Sequence, residues 1–231
     1  TEVTWQKQSG RCWMFSTMNV LRQRVIKKCK LEDFSFSQTY LAFYDKLEKA
    51  NLFFENIIHF ADQDLDDRET FELMGNPLPD GGQWDMAISL TKKYGLVPSW
   101  VMPETTASTG TAKYLPILTR KMREDALELR KLVREGKDPS ARREEMLAEI
   151  YNALRVLYGQ PPKTFDFEYT DEDKVYHCDR NLTPKSFMEK YVGNDFDDYA
   201  VIISSPIHEM NRTYCQPFMG DVVEDNMFWL N

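Results

Sequence analysis

One thiol in this sequence stands where nucleophilic chemistry is possible. In "QKQSGRCWMF" (residues 6–15), Cys12 follows Gly10 and Arg11, precedes Trp13 and lies six positions after Gln6. From Cys12 onward, apolar residues recur at Met14, Met18, Leu21, Val25 and Cys29, the stripe of an amphipathic helix. Cys12 is therefore expected at a helix N-terminus, where backbone N–H groups are unpaired and the dipole is positive. A thiol in such a field is favoured as the thiolate, the nucleophilic form. Arg11 adds positive charge if its side chain faces the sulfur. The alternative is a buried structural cysteine, the commoner role for an arbitrary one. Lys27, Lys28 and Lys30 gather at the far end of the stripe, where cations suit the dipole.

The elements that must hold this thiol follow along the chain. A second helix is predicted to start after Ser35 or Ser37 and to bury Phe36, Tyr40, Phe43 and Leu47. The acidic run from Asp62 to Asp67 begins like a calcium loop. Asp67 stands where that loop needs Gly, however, and Leu73 where it needs Glu, so a solvated loop is expected. Gly81-Gly82 reads as a turn before a helix with Trp84, Ala87, Ile88 and Thr91 on its face. Lys92 and Lys93 fill the last turn of that helix, Gly95 serves as a left-handed cap and Pro98 prevents continuation.

Residues 112–158 read as an antiparallel helical hairpin. Leu118, Met122, Leu129 and Val133 mark the first helix, and Leu147, Ile150, Leu154 and Leu157 the second. Asp138 is the N-cap of the second helix and Pro139 its first residue. The hairpin is either a subdomain packed on the body or an arm that docks a neighbouring subunit. The period then changes to two at Phe165, Phe167 and Tyr169. A short helix follows, capped by Thr183-Pro184 and closed by Gly193, and "YAVIISS" (199–205) is expected as a buried strand. Helices come mostly first and strands later, so the class is α+β.

Bulk properties narrow the function. The 231 residues are 42% hydrophobic and 13% aromatic, which suits a globular chain with a substantial core. No apolar run approaches the ~20 residues of a membrane span. A net charge of −8 disfavours nonspecific nucleic-acid binding. Cys12, Cys29, Cys178 and Cys215 have no tight spacing, so neither a disulfide scaffold nor a zinc site is expected, and no metal or other cofactor is inferred. Reduced thiols in a cytoplasmic protein are the simpler reading. On that reading the sequons at Asn181 and Asn211 are chance matches.

The pattern Gln-x5-Cys-Trp resembles the papain superfamily of cysteine peptidases. "QKQSGRCWMFSTMNVLR" is similar to the bleomycin hydrolase and bacterial aminopeptidase C branch. So are "SFSQTYLAFYDKLEKANLFFENII", "DGGQWDMAISLTKKYGLVPSWVMPE", "LTPKSFMEKYVG" and "DDYAVIISSP". The resemblance implies an α+β papain-like fold, incomplete here, with an inserted helical-hairpin hook. Residues 1–111 would form the helical half with the nucleophile, 112–160 the hook and 161–231 the start of the β-rich half. It implies Cys12 as nucleophile and the Gln6 side-chain amide, with the Cys12 backbone N–H, as the oxyanion hole. Gly81 and Gly82 would match the Gly-Gly whose backbone pairs with a peptide substrate, and an ordinary tight turn is the other reading of this pair. Trp13 would pack beside the site, or equally serve as a core aromatic. Trp5 replaces the Asn usual before the Gln, and Ser9-Gly10-Arg11 replaces papain's Cys-Gly-Ser.

The implied activity is that of a cysteine aminopeptidase acting on peptides, the full-length protein forming a homohexamer with its active sites inside. The family's own C-terminal tail restricts cutting to N-terminal residues. Its catalytic His and Asn stand in small-His-Ala and Asn-Ser-Trp contexts, and His59, His177 and His208 match neither. The resemblance therefore implies that this chain is the N-terminal portion of a longer protein, with both partners beyond it. The second hypothesis is a non-catalytic papain-like scaffold, or an inactive fragment, acting through the hairpin.

Overall fold

The computed structural model describes residues 3–199, 201–203, 207, 209–214 and 227–229. His208 and Cys215 lie outside them. Helix α1 (Cys12–Cys29) begins at the thiol and buries Met14, Met18, Leu21, Val25 and Cys29, the stripe read from the sequence. Helix α2 (Gln38–His59) starts on Ser37, whose hydroxyl accepts from the Tyr40 N–H and donates to the Met102 carbonyl. It is the central helix, buried around most of its circumference, and it runs through "FFENII" without a break. Leu47 is only half-buried, because Asp45, Lys46 and Lys49 take up part of the inner surface instead.

Residues 62–67 are exposed apart from the half-buried Gln63, and lead into α3 (Arg68–Gly75). Helix α4 (Trp84–Tyr94) buries Ala87, Ile88, Leu90 and Thr91. It ends on Gly95 at φ 79° and ψ −165°, a positive-φ residue but not the left-handed helical cap expected. A side chain at Gly95 would run into the backbone of Pro184 and Lys185, so here glycine serves close approach as well as termination.

Helices α5 (Leu115–Arg134) and α6 (Ser140–Tyr158) form the hairpin. Lys121 pairs with Glu149 at 2.7 Å and Arg142 with Glu128 at 2.9 Å, so the start of one helix faces the end of the other. The inner face packs on α2 and joins one core cluster with the rest of the chain. The buried stripe of α6 is Met146, Ile150, Leu154 and Tyr158, whereas Leu147 and Leu157 are half-buried. Tyr158 displaces the expected Leu157 because its hydroxyl finds a partner inside, the Tyr114 hydroxyl at 2.5 Å. Asp138 accepts from the Ser140 N–H at 3.0 Å and so caps α6, while the helix itself opens one residue later than expected. On α5, Arg123 donates to the Met74 and Gly75 carbonyls, and Arg130 and Arg134 to those of Phe60 and Ala61. These guanidiniums bond carbonyls at and just beyond the ends of α3 and α2.

Strands β1 (Phe165–Thr170) and β2 (Tyr176–Leu182) pair antiparallel, with Phe167 opposite Asp179 and Thr170 opposite Tyr176. Phe165 and Phe167 face inward against α7 (Pro184–Tyr191), both meeting Phe187 and Phe167 also Tyr191, while Tyr169 packs on Phe167; a Thr183–Ser186 capping box starts α7. A small sheet follows, in which β3 (Val201–Ile203) runs parallel to β5 (Met227–Trp229), and β4 (Thr213–Tyr214) antiparallel to β5. The expected buried strand is therefore present at 201–203, but Ile202 is 56% exposed. No helix among the described residues is long and apolar enough to cross a membrane.

The burial pattern of α6 is testable. Leu154→Ala should cost about 2–4 kcal/mol in urea denaturation, by transfer and cavity terms. Val156→Ala, at an exposed neighbouring position, should stay within about 0.5 kcal/mol.

Candidate active site

Cys12 is the first residue of α1 and its side chain is exposed. Arg11, at the N-cap, offers no side-chain acceptor to the first turn, and that turn contains no acidic residue. Most helices place Ser, Thr, Asp or Asn there to occupy the free N–H groups. This helix presents its positive end uncapped, with the thiol on it.

The charge of Arg11 does not serve the sulfur. Its guanidinium is buried, pairs bidentately with Glu104 at 3.0 Å on both nitrogens and lies over the Phe15 ring. That corrects the sequence expectation that Arg11 could face the thiol. The pairing instead braces the approach to the helix. Arg11 Nε donates to Ser9 Oγ at 2.8 Å, and Ser9 Oγ donates to the Gln6 carbonyl at 2.7 Å. Gln8 bonds the backbone on both sides of Gly110, through the Thr109 carbonyl and the Thr111 N–H. Gln6 is thereby tied through side chains to the residue that starts α1. Its own amide is half-buried, and Oε1 accepts no hydrogen bond among the described residues.

Segment 79–82 carries the two candidate glycines and is irregular rather than a hydrogen-bonded turn. It lies against the start of α1. The Gly81 N–H donates to the Gly10 carbonyl at 3.2 Å. A methyl at Gly10 would collide with the Asp80 side chain, and one at Gly82 would come within 2.6 Å of the Trp13 ring. Both glycines are required by close approach, not by turn geometry. The structure thus brings Gly81 and Gly82 beside Gly10 and Trp13, which flank Arg11 and Cys12. Trp13 is 9% exposed and belongs to the core cluster.

A buried charge cluster on α2 holds this segment from beneath. Lys46 Nζ pairs with Asp80 at 2.8 Å and reaches the Pro79 carbonyl at 3.3 Å. Lys49 Nζ binds Asp45 at 2.9 Å, the Pro79 carbonyl at 3.1 Å and the Gly81 carbonyl at 2.7 Å. Burial opposes the charge of Lys46, but Asp45 and Asp80 outweigh it and hold that ammonium above its ordinary range. For Lys49 burial prevails over Asp45, and its affinity for the proton falls. Sequence reasoning missed these residues. The signal was there: Lys46 and Lys49 interrupt a helical stripe that includes Ala42, Ala50 and Phe53.

Of the histidines, His59 is exposed at the end of α2, and His177 on β2 pairs with Asp171 at 2.8 Å and stacks on Tyr169. Cys12, Cys29 and Cys178 are free thiols, and no His/Cys/Asp/Glu cluster among the described residues has a metal-binding arrangement. A cavity of about 230 Å³ is lined by Trp5, Phe15, Arg22, Gln38 and Glu104, among others, but not by Cys12 or the glycine pair.

The whole chain, residues 1–231, matches the Peptidase C1-like family. The chain belongs to that family. It is 51% identical over 217 residues to the aminopeptidase G of Lactobacillus delbrueckii subsp. lactis, covering 92% of this chain and 49% of that protein. It is 47% identical over 228 residues to the aminopeptidase E of Lactobacillus helveticus, covering 97% of this chain and 51% of that protein. The crystal structure of PepW from Lactobacillus rhamnosis HN001 superposes with a TM-score of 0.96 at 45% identity, over 99% of this chain and 53% of that one. The chain spans about half the length of the curated relatives it matches.

The brace at Arg11 gives an asymmetric prediction. Glu104→Ala strands a buried guanidinium and should cost about 2–3 kcal/mol. Arg11→Met leaves a carboxylate whose side chain is 37% exposed and can be hydrated, so it should cost less, about 1 kcal/mol. Urea midpoints of the two variants check the order.

Proposed function

We propose that the protein containing this chain is a cysteine aminopeptidase, with Cys12 as nucleophile. The observation that carries the reading is an exposed thiol on an uncapped helix N-terminus, with a glycine backbone packed against the tryptophan that follows it. The names of the relatives, aminopeptidases C, E, G and W, support the same reading.

In this reaction the Cys12 thiolate attacks the peptide carbonyl carbon, and the π electrons move to the carbonyl oxygen. The Cys12 N–H and the Gln6 side-chain amide would hold that oxyanion. Collapse of the adduct breaks the C–N bond, leaving a thioester on Cys12 and releasing the amine, which takes up a proton. Water then hydrolyses the thioester to the carboxylic acid and regenerates the thiol. The proton transfers need a histidine and its orienting asparagine. We assign these to the length of the relatives that this chain does not span. Gly82 would pair with the extended substrate. Gly81 has its N–H bonded to Gly10 and its carbonyl to Lys49, and none of the backbone pairs among the described residues involves Gly82.

The hairpin α5–α6 would be the family's hook insertion, used in homohexamer assembly. Its outward-facing Ile117 and Val156, 73% and 87% exposed, are consistent with a surface that meets another subunit. The free thiols fit a cytoplasmic setting.

The test uses the full-length protein and an aminoacyl fluorogenic substrate. Cys12→Ser should abolish turnover. Gln6→Ala should lower kcat by about 10²–10³-fold, the cost of one oxyanion donor, while iodoacetamide still labels Cys12. Undiminished turnover in Cys12→Ser would refute the reading and favour the scaffold alternative.

A further inference from the structure

We propose that Lys49 is a positioning residue for substrate. From the buried face of α2 it fixes the Gly81-Gly82 backbone against the start of α1. The inference rests on the peptidase reading above and adds a residue to it.

Segment 79–82 has no helix or strand of its own, so nothing local fixes where its backbone lies. Peptide pairing needs that backbone held to within a fraction of an ångström of the thiol. The Lys49 ammonium has three N–H donors and three acceptors for them: Asp45 at 2.9 Å, the Pro79 carbonyl at 3.1 Å and the Gly81 carbonyl at 2.7 Å. Asp45 lies one turn earlier on α2 and orients the ammonium. The two carbonyls flank Asp80, whose carboxylate Lys46 holds, and Lys46 shares the Pro79 carbonyl at 3.3 Å, so the Gly81 carbonyl is the contact that sets Lys49 apart. Lys49 Nζ also sits 5.4 Å from the centre of the Trp13 ring, the ring that Gly82 packs against. One side chain thus touches both walls of the proposed cleft, the α1 wall through Trp13 and the substrate-pairing wall through Gly81. It meets no substrate itself, because the Gly81 backbone stands between.

Two reagents separate this role from a general structural one. Iodoacetamide needs only a reactive Cys12. A peptidyl epoxide needs Cys12 and an extended backbone seated along Gly82. In the full-length protein, Lys49→Met should reduce the rate of Cys12 labelling by the epoxide at least about tenfold. Iodoacetamide labelling should change by less than about twofold, since Lys49 meets α1 through the face of the Trp13 ring and not through the thiol. Lys49→Gln keeps a polar end but is too short for both carbonyls. It should lower the epoxide-to-iodoacetamide ratio as well, and it supplies the reading if Lys49→Met does not fold. Lys49→Arg, with charge and donors retained, should recover most of the ratio. An unchanged ratio in folded Lys49→Met or Lys49→Gln overturns the proposal. Failure of both reagents to label Cys12 in the unsubstituted protein would instead overturn the peptidase reading on which it rests.

Discussion

The approach of segment 79–82 to the first turn of α1 is the contact on which the candidate site depends. It is possible only because two residues lack side chains. Asp80 lies where a Gly10 side chain would be, and Trp13 where a Gly82 side chain would be. Glycine at such positions costs conformational entropy, and an irregular segment adds no ladder of hydrogen bonds to offset it. The offset comes from charge. Lys46, Lys49 and Asp45 are nearly sealed from water, and their partners include Asp80 and the carbonyls of Pro79 and Gly81. Burying Asp45, Lys46 and Lys49, with Asp80 exposed at the edge, is costly, and removing any one of the three would leave a buried neighbour uncompensated. The cluster therefore tolerates few alternative arrangements, and the segment above it inherits that rigidity.

The other side of Cys12 is built on the same plan. A buried Arg11 pairs with Glu104, and the chain of bonds from Arg11 through Ser9 to the Gln6 carbonyl fixes the approach to the helix. In both places a buried cation is engaged by the support, Arg11 by Glu104 and Lys49 by Asp45 and two carbonyls. The thiol is exposed on the uncapped terminus of α1, and the Gln6 Oε1 has no partner among the described residues.

Much of this was legible in the sequence because local physics governed it. The stripe from Met14 to Cys29 fixed the orientation of α1 and put Cys12 at its start. Ser37 and Thr183 announced their helices through side-chain caps. The unread parts were those where tertiary partners decide. Arg11 reads as a cation beside a thiol until Glu104, 93 residues away, claims it. Lys46 and Lys49 went unread, since a buried lysine has no signature except its place in an apolar stripe. On α6, Tyr158 takes the position expected of Leu157 through its bond to Tyr114, a partner on the far side of the hairpin. Gly81-Gly82 reads as a turn because the close approach at Gly82 comes from Trp13, far away in sequence, while Gly81 is there for its positive φ of 92°. The family resemblance identified the candidate residues, and the packing supplies a physical reason for the type of one of them, Gly82 against the Trp13 ring.

The central claim is that Cys12 and the Gly82 backbone form the two sides of one peptide-binding cleft. The most direct measurement is a crystal structure of the full-length protein after reaction with a peptidyl epoxide. The account predicts a covalent bond from Cys12 Sγ to the inhibitor, and main-chain hydrogen bonds from the inhibitor to the Gly82 N–H and carbonyl. An adduct on Cys12 whose peptide portion runs elsewhere, leaving Gly82 unpaired, would contradict it.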